Sequence, residues 1–220
     1  MSFIFDTGST WTWIPNKDCP ESQCPNDHYY YDRSTNYYDT RDQDQVTYGI
    51  GQVKGYVVVD DVAVADSVDL QANDVNFLSV YYAKDMSTLK SDGLLGLSPR
   101  SSRKVSANSG HEMHLLVDEL YKDGKIDRPW FAIYLTFVGQ QSKIQFGGYD
   151  NYYVQKAQEE DTEGILASKK SGDGIFWMDI NSQQHWQVSI FEAKIGNKTL
   201  SIKAKNAIFD TGTSLLYFPT

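Results

Sequence analysis

Two short segments of the chain are identical, and each places an aspartate after an apolar run. Residues 4–8 read Ile-Phe-Asp-Thr-Gly, and the same five residues recur as residues 208–212. Each apolar run predicts a β-strand that ends at the aspartate, and the glycine predicts a tight turn after it. Two identical loops suggest an internal pseudo-twofold that brings Asp6 and Asp210 face to face.

Paired carboxylates of this kind could carry out acid–base chemistry on a bound water. Two carboxylates a few ångströms apart cannot both ionise, so they share one proton. The ionised partner can act as general base on the water, while the protonated partner polarises a substrate carbonyl as general acid. No metal, cofactor or covalent intermediate is needed. The repeat therefore predicts hydrolysis at low pH.

The residues that follow each aspartate have types that could hold it in place. The glycine lets backbone N–H groups approach the carboxylate oxygens. A hydroxyl residue after each glycine can donate a hydrogen bond to the outer oxygen. The threonine of each segment could bond to the backbone of the opposite loop. These supporting residues are Thr7, Gly8, Ser9, Thr211, Gly212 and Thr213.

Strand patterns dominate the elements that must position the two aspartates. Aromatic residues make up 14% of the chain, which favours β structure. Residues 45–48 and 53–60 flank Gly49-Ile50-Gly51 and predict a β-hairpin with a flexible tip. Further strands are predicted at residues 74–80, 130–137, 143–146, 175–180, 186–195 and 198–203, with a hairpin turn at Gly196-Asn197.

The strongest helix pattern lies at residues 111–122. Apolar residues at positions 113, 116, 117, 120 and 121 form one stripe, and Gly124 is placed to end the helix. Residues 155–174 contain few apolar residues and predict a seam between two parts of the chain.

Cys19 and Cys24 lie in a short loop, and their state has three interpretations. A disulfide would hold a surface turn and add about 2 kcal/mol of stability. Free thiols are the second interpretation. The third is a metal site with His28, but two thiols and one imidazole fall short of a structural zinc set.

Composition limits the classes of function. The 220 residues can form one large or two small domains, with a hydrophobic content of 40%. A formal charge of −9 argues against a nucleic-acid partner, which requires a basic face. No apolar run is long enough for a membrane segment. No secretory signal is visible before Asp6, which suggests that the chain starts late rather than that the protein is cytosolic.

Taken together, these motifs resemble the pepsin-like (cathepsin D-like) aspartic endopeptidases over nearly the whole sequence. Besides the first Asp-Thr-Gly loop, the landmarks in chain order are Trp13-Ile14-Pro15, the Cys19–Cys24 disulfide loop, residues 47–51 with Gly55, residues 92–97, residues 146–150, residues 185–188 and residues 210–216, which contain the second Asp-Thr-Gly.

The resemblance implies an all-β, bilobal fold with a peptide-binding cleft between the lobes. Residues 1–158 would form a nearly complete N-terminal lobe, and residues 159–220 a partial C-terminal lobe. The family has a strand before the first Asp-Thr-Gly and a long tail after the second, so the resemblance implies a chain truncated at both ends. Asp6 and Asp210 would be the catalytic dyad. Residues implied to bind or support binding of substrate are Trp13, Tyr48, Gly49, Ile50, Gly51 and Leu94.

The resemblance also implies a function: cleavage of internal peptide bonds between bulky apolar residues at acidic pH. The partner would be a peptide or unfolded protein, bound by a monomer that is lysosomal, vacuolar or secreted. The alternative is a non-catalytic peptide-binding relative or an inactive fragment. Ile50 stands where the family usually has Thr or Ser, and residues 155–174 indicate a surface insertion. Asn197 begins the sequon Asn-Lys-Thr, a candidate glycosylation site if the protein is secreted.

Overall fold

A computed structural model of the chain describes residues 1–65, 67–99, 113–136, 141–154, 175 and 177–218. Strands dominate this part of the chain, and the mainly-β fold predicted from the sequence is confirmed. Helical structure in it is limited to α1 (Leu116–Lys122), one turn at residues 151–154 and the 3-10 turns Tyr31–Arg33 and Val68–Leu70. None of the described helices is long and apolar enough to cross a bilayer.

The described strands form one large sheet and three two-stranded sheets. In chain order they are β1 (Phe3–Asp6), β2 (Trp13–Pro15), β3 (Tyr38–Thr47), β4 (Gln52–Ala63), β5 (Gln71–Lys84), β6 (Gly93–Gly96), β7 (Phe131–Tyr134), β8 (Lys143–Phe146), β9 (Gln187–Ser189), β10 (Lys194–Ile195), β11 (Lys198–Thr199) and β12 (Asn206–Ile208). The small sheets pair β7 with β8, β9 with β12, and β10 with β11.

The large sheet has six strands in the order β1-β6-β2-β5-β4-β3. β3, β4 and β5 form an antiparallel meander, whereas β1 runs parallel to β6. The register of that parallel pair sets Asp6 opposite Gly96. The first aspartate is therefore the last residue of an edge strand, from which the chain turns away from the sheet.

Both faces of the central strands are buried. Val57 packs in a core cluster with Trp13 and Leu94, whereas its neighbour Val58 packs in a different cluster with Phe77. Alternate residues of a strand point to opposite faces, so a run of buried valines requires cover on both sides. This explains why β4 is rich in consecutive valines rather than alternating between apolar and polar residues.

The β7–β8 hairpin and α1 close one side of this core. Leu116 and Leu120 of α1 are buried in a cluster that also contains Leu95. Phe131 of β7 and Phe146 of β8 pack against the same cluster. Beyond β8, Gly147 has a φ of +83°, as the predicted turn requires.

The helix prediction was wrong at its beginning. Residues 113–115 are not helical, and α1 begins at Leu116 instead; residues 111 and 112 lie outside the described ranges. The cause is a tertiary contact, because the backbone N–H of His114 donates to Oδ1 of Asn76 at 2.8 Å and the backbone N–H of Asn76 donates to the carbonyl of His114 at 2.9 Å. Tyr121, assigned to the apolar stripe, is 50% exposed. Gly124 has a φ of +67° and ends the helix as predicted.

Several strand predictions also need correction. Residues 177–180 are not strand, and the run at 186–195 is divided into β9 and β10, with Phe191 between them 99% exposed. The Gly196-Asn197 turn is confirmed between β10 and β11, although β11 ends at Thr199. β4 and β5 are longer than predicted. The seam at residues 155–174, and with it the division of the chain at residue 158, lies outside the described residues.

Candidate active site

The two Asp-Thr-Gly loops meet in space, although 202 or more residues separate the bonded groups. The backbone N–H of Thr7 donates to Oγ1 of Thr211 at 3.1 Å, and the backbone N–H of Thr211 donates to Oγ1 of Thr7 at 3.0 Å. The two hydroxyls donate in turn to the carbonyls of Phe209 and Phe5, at 2.9 Å and 2.6 Å. The threonines thus tie each loop to the backbone of the other, in a reciprocal pattern.

Each aspartate also receives the same two hydrogen bonds from its own loop. Oδ1 of Asp6 accepts from the backbone N–H of Gly8 at 2.9 Å, and its Oδ2 accepts from the hydroxyl of Ser9 at 2.5 Å. In the second loop, Gly212 donates to Oδ1 of Asp210 at 2.8 Å and Thr213 donates to its Oδ2 at 2.5 Å. Both carboxyl groups are therefore fixed in orientation by equivalent donors.

The glycines of the two loops lie against the opposite carboxyl groups. A Cβ built on Gly8 would lie 2.4 Å from Cγ of Asp210, and one built on Gly212 would lie 2.4 Å from Oδ1 of Asp6. The sequence pattern indicated glycine for the bend of the loop. The structure adds a second requirement, which is room for the other loop's carboxyl group.

The two aspartates differ in their electrostatic environment. Asp6 is 5% exposed, and burial, helped by hydrogen bonding and repulsion from Asp210, raises its pKa above the ordinary value. Burial also acts on Asp210, but hydrogen bonds from Thr213, Asp6 and Gly212 outweigh it and lower the pKa of Asp210. The two carboxyl groups are close enough to share a hydrogen bond, so Asp6 is suited to hold the proton and Asp210 to be ionised.

The segment that contains β6 packs against the first loop and donates hydrogen bonds to its backbone. The backbone N–H of Leu97 donates to the carbonyl of Asp6 at 2.8 Å, and that of Ser98 donates to the carbonyl of Ser9 at 3.0 Å. Gly96 approaches so closely that a Cβ there would lie 2.4 Å from the carbonyl oxygen of Thr10. This segment was recognised from its sequence motif, and its contacts explain why the motif needs glycine.

The flap, which is the β3–β4 hairpin with its turn at residues 48–51, lies over the first loop. The backbone N–H of Tyr48 donates to the carbonyl of Gly51 at 2.7 Å and closes the turn. The hydroxyl of Tyr48 accepts from Nε1 of Trp13 at 2.9 Å, and burial raises the pKa of this phenol. Trp13 and Tyr48, both among the residues implied by the resemblance to serve substrate binding, are thus joined by a hydrogen bond.

The remaining substrate-binding candidates occupy different environments. Ile50 is 61% exposed at the tip of the flap, and a Cβ on Gly49 would meet open space. Gly51 lies against the backbone of Lys84. Leu94, by contrast, is 6% exposed and packs in the core beside Trp13. The structure brings Leu94 and Trp13 together beneath the flap.

A second tryptophan also contacts the flap, which the sequence did not predict. Trp11 is 3% exposed, and its Nε1 donates to Oδ2 of Asp44 on β3 at 2.8 Å. The repeat of tryptophan at positions 11 and 13 was the available signal, because alternate residues share one face of an extended segment. Trp186 lies in a segment recognised as a landmark of the family, but its contact was not predicted: its Nε1 donates to the carbonyl of Leu97 at 2.7 Å and so joins the two halves of the described chain.

Cys19 and Cys24 form a disulfide, with their Cα atoms 6.1 Å apart. Both are buried in the core cluster that contains Trp13. Nε2 of His28 contacts the carbonyl of Cys19 rather than a thiol, so the metal interpretation of this loop is wrong. Across the described ranges, no group of metal-ligating side chains is present. Asn197 is exposed in the β10–β11 turn.

Comparison with known proteins agrees with this geometry. The family model for eukaryotic aspartyl proteases matches residues 1–220. The chain is 30% identical over 223 residues to pepsin A of Gallus gallus, with 100% of this chain and 54% of the relative covered. It is 28% identical over 230 residues to pepsin A of Rhinolophus ferrumequinum, with 100% and 52% covered.

A third relative is a pregnancy-associated glycoprotein of Equus caballus, 29% identical over 221 residues, with 98% of this chain and 50% of the relative covered. The chain thus spans about half the length of the relatives it matches. The resemblance derived from the sequence motifs is confirmed. The chain belongs to the eukaryotic aspartyl protease family.

Proposed function

We propose that the protein is an aspartic endopeptidase in which Asp6 and Asp210 together activate a water molecule. The observation that carries this proposal is the reciprocal pairing of the two loops, which leaves both carboxyl groups equally supported and within hydrogen-bonding reach. A pair that shares one proton contains both a base and an acid, as hydrolysis of an amide requires.

The proton transfers follow from this arrangement. The ionised carboxylate accepts a proton from the water as its oxygen attacks the carbonyl carbon of the peptide bond. The protonated carboxyl group donates its proton to the carbonyl oxygen, giving a tetrahedral diol. The diol then collapses: one of its hydroxyls returns a proton to the carboxylate that donated first, the amide nitrogen takes the proton from the other carboxyl group, and the carbon–nitrogen bond breaks. The chain's own side chains supply every proton donor and acceptor, so no cofactor or metal is proposed.

The substrate is proposed to be a peptide or an unfolded protein that lies under the flap. Tyr48, Gly49, Ile50 and Gly51 would contact it from the flap, while Trp13 holds Tyr48 and Leu94 contributes to an apolar floor. We expect cleavage between bulky apolar residues. Because the exposed Ile50 offers no side-chain hydrogen bond, it would favour an apolar group in the substrate.

The working environment follows from the same chemistry. A pair with one shared proton operates at acidic pH, so we propose that the protein works in a lysosome, a vacuole or the extracellular space. The disulfide agrees with an oxidising compartment. The division into an N-terminal lobe at residues 1–158 and a C-terminal lobe at 159–220, a monomeric state and a glycan on Asn197 belong to the same proposal.

The proposal is tested by hydrolysis of an unfolded protein across acid to neutral pH, with and without a statine-type transition-state inhibitor. Inhibitor-sensitive cleavage with an optimum at acidic pH is expected. Asp6→Asn and Asp210→Asn should each lower kcat by about 10²–10⁴-fold, because each removes one partner of the acid–base pair. Asp127→Asn, at an exposed position of the described chain, is the matched control and should retain activity.

The assay is needed because family membership alone does not establish proteolysis: one relative is named as a glycoprotein rather than as a protease. A folded chain that binds the inhibitor without cleaving the substrate would support the non-catalytic peptide-binding alternative. Full activity of Asp210→Asn would show that the assignment of the pair is wrong.

A further inference from the structure

The turn of the flap lies against the segment that connects β5 to β6. We call this segment, residues 84–92, the flap seat. A Cβ built on Gly51 would lie 2.3 Å from the carbonyl oxygen of Lys84 and 2.9 Å from Sδ of Met86, so the flap and the seat are in direct contact. Met86 is 5% exposed and packs in the core cluster that contains Trp13. The position of the flap over the first loop therefore depends on the position of the seat.

The flap seat has little regular structure of its own. Residues 85–92 belong to no helix or strand, and the backbone N–H of Leu89 donates to the carbonyl of Met86 at 3.0 Å within a turn. Asp85 has a φ of +59°, in the left-handed region that residues other than glycine rarely adopt. A backbone of this kind keeps one conformation because the structure around it holds it there.

The disulfide loop holds both ends of the flap seat through two side-chain amides. Nδ2 of Asn26 donates to the carbonyls of Leu89 and Ser91, at 2.9 Å and 2.8 Å. Oε1 of Gln23 accepts from the backbone N–H of Ala83, directly before the seat, at 3.1 Å. The two amides therefore have opposite roles, since Asn26 is a donor and Gln23 is an acceptor.

The disulfide loop is itself well anchored. The carbonyl of Pro20 accepts from the backbone N–H groups of Gln23 and Cys24, at 2.8 Å and 2.9 Å. Both cysteines of the disulfide are buried in the same cluster as Met86. The loop can therefore act as a fixed base from which the two amides reach the seat.

We propose that Asn26 is a positioning residue that acts through the flap seat to hold the flap where it binds substrate, with Gln23 as its counterpart at the other end of the seat. This inference rests on the proposed function and makes it more specific, because it assigns part of the affinity for peptide to residues of the disulfide loop. The hydrogen bonds that orient Asp6 and Asp210 come from their own loops. Loss of the seat contacts should therefore weaken substrate binding and leave the chemical step nearly unchanged.

The first experiment uses two amide-to-carboxylate changes that keep side-chain size and add the same charge. At about pH 5, the carboxylate in Asn26→Asp cannot donate, so KM for a peptide substrate should rise about three- to tenfold. In Gln23→Glu the carboxylate still accepts from Ala83, and KM should stay close to that of the unmodified chain. The value of kcat, corrected for active molecules by titration with a statine-type inhibitor, should change by less than about twofold in both variants.

Three further variants complete this comparison. Asn26→Ala and Gln23→Ala each remove one end of the hold on the seat, and both should raise KM as Asn26→Asp does. Asn36→Ala removes an exposed amide that donates to Asp61 instead, and it should leave KM unchanged.

Three results of these assays would overturn the inference. One is an unchanged KM in Asn26→Asp. Another is an equal rise of KM in Asn26→Asp and Gln23→Glu, which would mean that the added charge matters and the hydrogen bonds do not. The third is a loss of kcat at constant KM, which would assign Asn26 to the chemical step or to stability alone.

The second experiment needs no activity. Amide hydrogen exchange of the full chain is measured by mass spectrometry at the flap seat and at residues 48–52 of the flap. In Asn26→Asp both segments should exchange faster, whereas in Gln23→Glu and Asn36→Ala neither should change. Faster exchange of the seat with an unchanged flap overturns the inference, because the seat would then not hold the flap. Faster exchange of both segments in a folded chain without protease activity supports the hold on the flap and counts against the proposed function instead.

Discussion

At the scale of single residues, each catalytic candidate depends on atoms of the other loop. The glycines illustrate this most directly, since Gly8 borders the carboxyl group of Asp210 and Gly212 borders that of Asp6. Hydrogen bonds within a loop fix the direction of its own carboxyl group, but the distance between the two groups is set by how closely the loops approach. A glycine at each contact point permits that approach.

Gly8→Ala should therefore abolish most activity without unfolding the chain. The added Cβ would lie 2.4 Å from Cγ of Asp210, so the loops must separate. A displacement of about 1 Å in a catalytic group can cost about 10²-fold in rate, and we expect a loss of kcat of that order. Gly148→Ala, where a Cβ would meet no atom within 4 Å, is the matched control. Wild-type kcat in Gly8→Ala, measured on a peptide substrate, would contradict the close approach.

Local residue roles could be predicted from the sequence, but contacts between loops could not. The hydrogen bonds of Gly8 and Ser9 to Asp6 arise within four consecutive residues, so the motif alone implies them. The hydrogen bond from Trp186 to the carbonyl of Leu97 depends instead on residues 89 positions apart. No short-range pattern specifies such a contact, so the motif at residues 185–188 could be recognised without its partner.

At the scale of elements, the flap is attached to the first loop at two points. Trp13 holds Tyr48 near the tip, and Trp11 holds Asp44 farther along β3. A buried indole N–H needs a partner, because leaving a buried donor unsatisfied costs about 1–3 kcal/mol. The Trp11–Asp44 bond therefore links the position of the flap to the loop that carries the first aspartate.

Asp44→Ala should loosen the flap, whereas Asp44→Asn should largely preserve it because an amide oxygen can still accept from the indole. We expect Asp44→Ala to lose about 1–3 kcal/mol in urea unfolding. Its amide hydrogens at residues 45–52 should also exchange faster, as measured by mass spectrometry. Asp42→Ala, on the same strand, is the control. Equal exchange rates in Asp44→Ala and Asp44→Asn would show that this bond does not hold the flap.

Element types were easier to predict than element ends. The hairpin at residues 45–60 and the turn at Gly196-Asn197 follow from local turn chemistry, and both are present. The start of α1 depends on Asn76, which lies on a distant strand and hydrogen-bonds to the backbone of residue 114 just before the helix. Tertiary contacts of this kind override helical periodicity, and they cannot be read from the residues of the helix itself.

At the scale of the whole molecule, the two aspartates should affect stability in opposite directions. The pKa of Asp6 is raised above 3.8, chiefly by burial, so the folded chain favours its protonated form. The stability that this protonated form gives the folded chain is complete below about pH 3.8. It is lost as pH rises through the folded-state pKa of Asp6. The pKa of Asp210 is lowered despite burial, chiefly by the hydrogen bond from Thr213. The stability that the ionised form of Asp210 gives the folded chain is present above about pH 3.8. It is lost as pH falls through the folded-state pKa of Asp210.

Replacing each aspartate with asparagine separates these contributions, since an amide does not ionise. At neutral pH, Asp6→Asn should be more stable than the unmodified chain, because the cost of a buried charge is removed. Asp210→Asn should be less stable at neutral pH, because a favoured carboxylate is lost. For a chain of this size each kcal/mol corresponds to about 2–4 °C in Tm, a difference that calorimetry detects.

The same variants are also measured at about pH 3. There the difference in Tm between each variant and the unmodified chain should shrink, because the carboxyl groups become protonated. Asp127→Asn, at an exposed position, should change little at either pH. If Asp6→Asn and Asp210→Asn shifted Tm in the same direction at neutral pH, the opposite environments of the two aspartates would be disproved. A gain in stability on losing Asp6, together with a loss of turnover, would mean that the folded chain maintains this buried acid at a cost to its own stability.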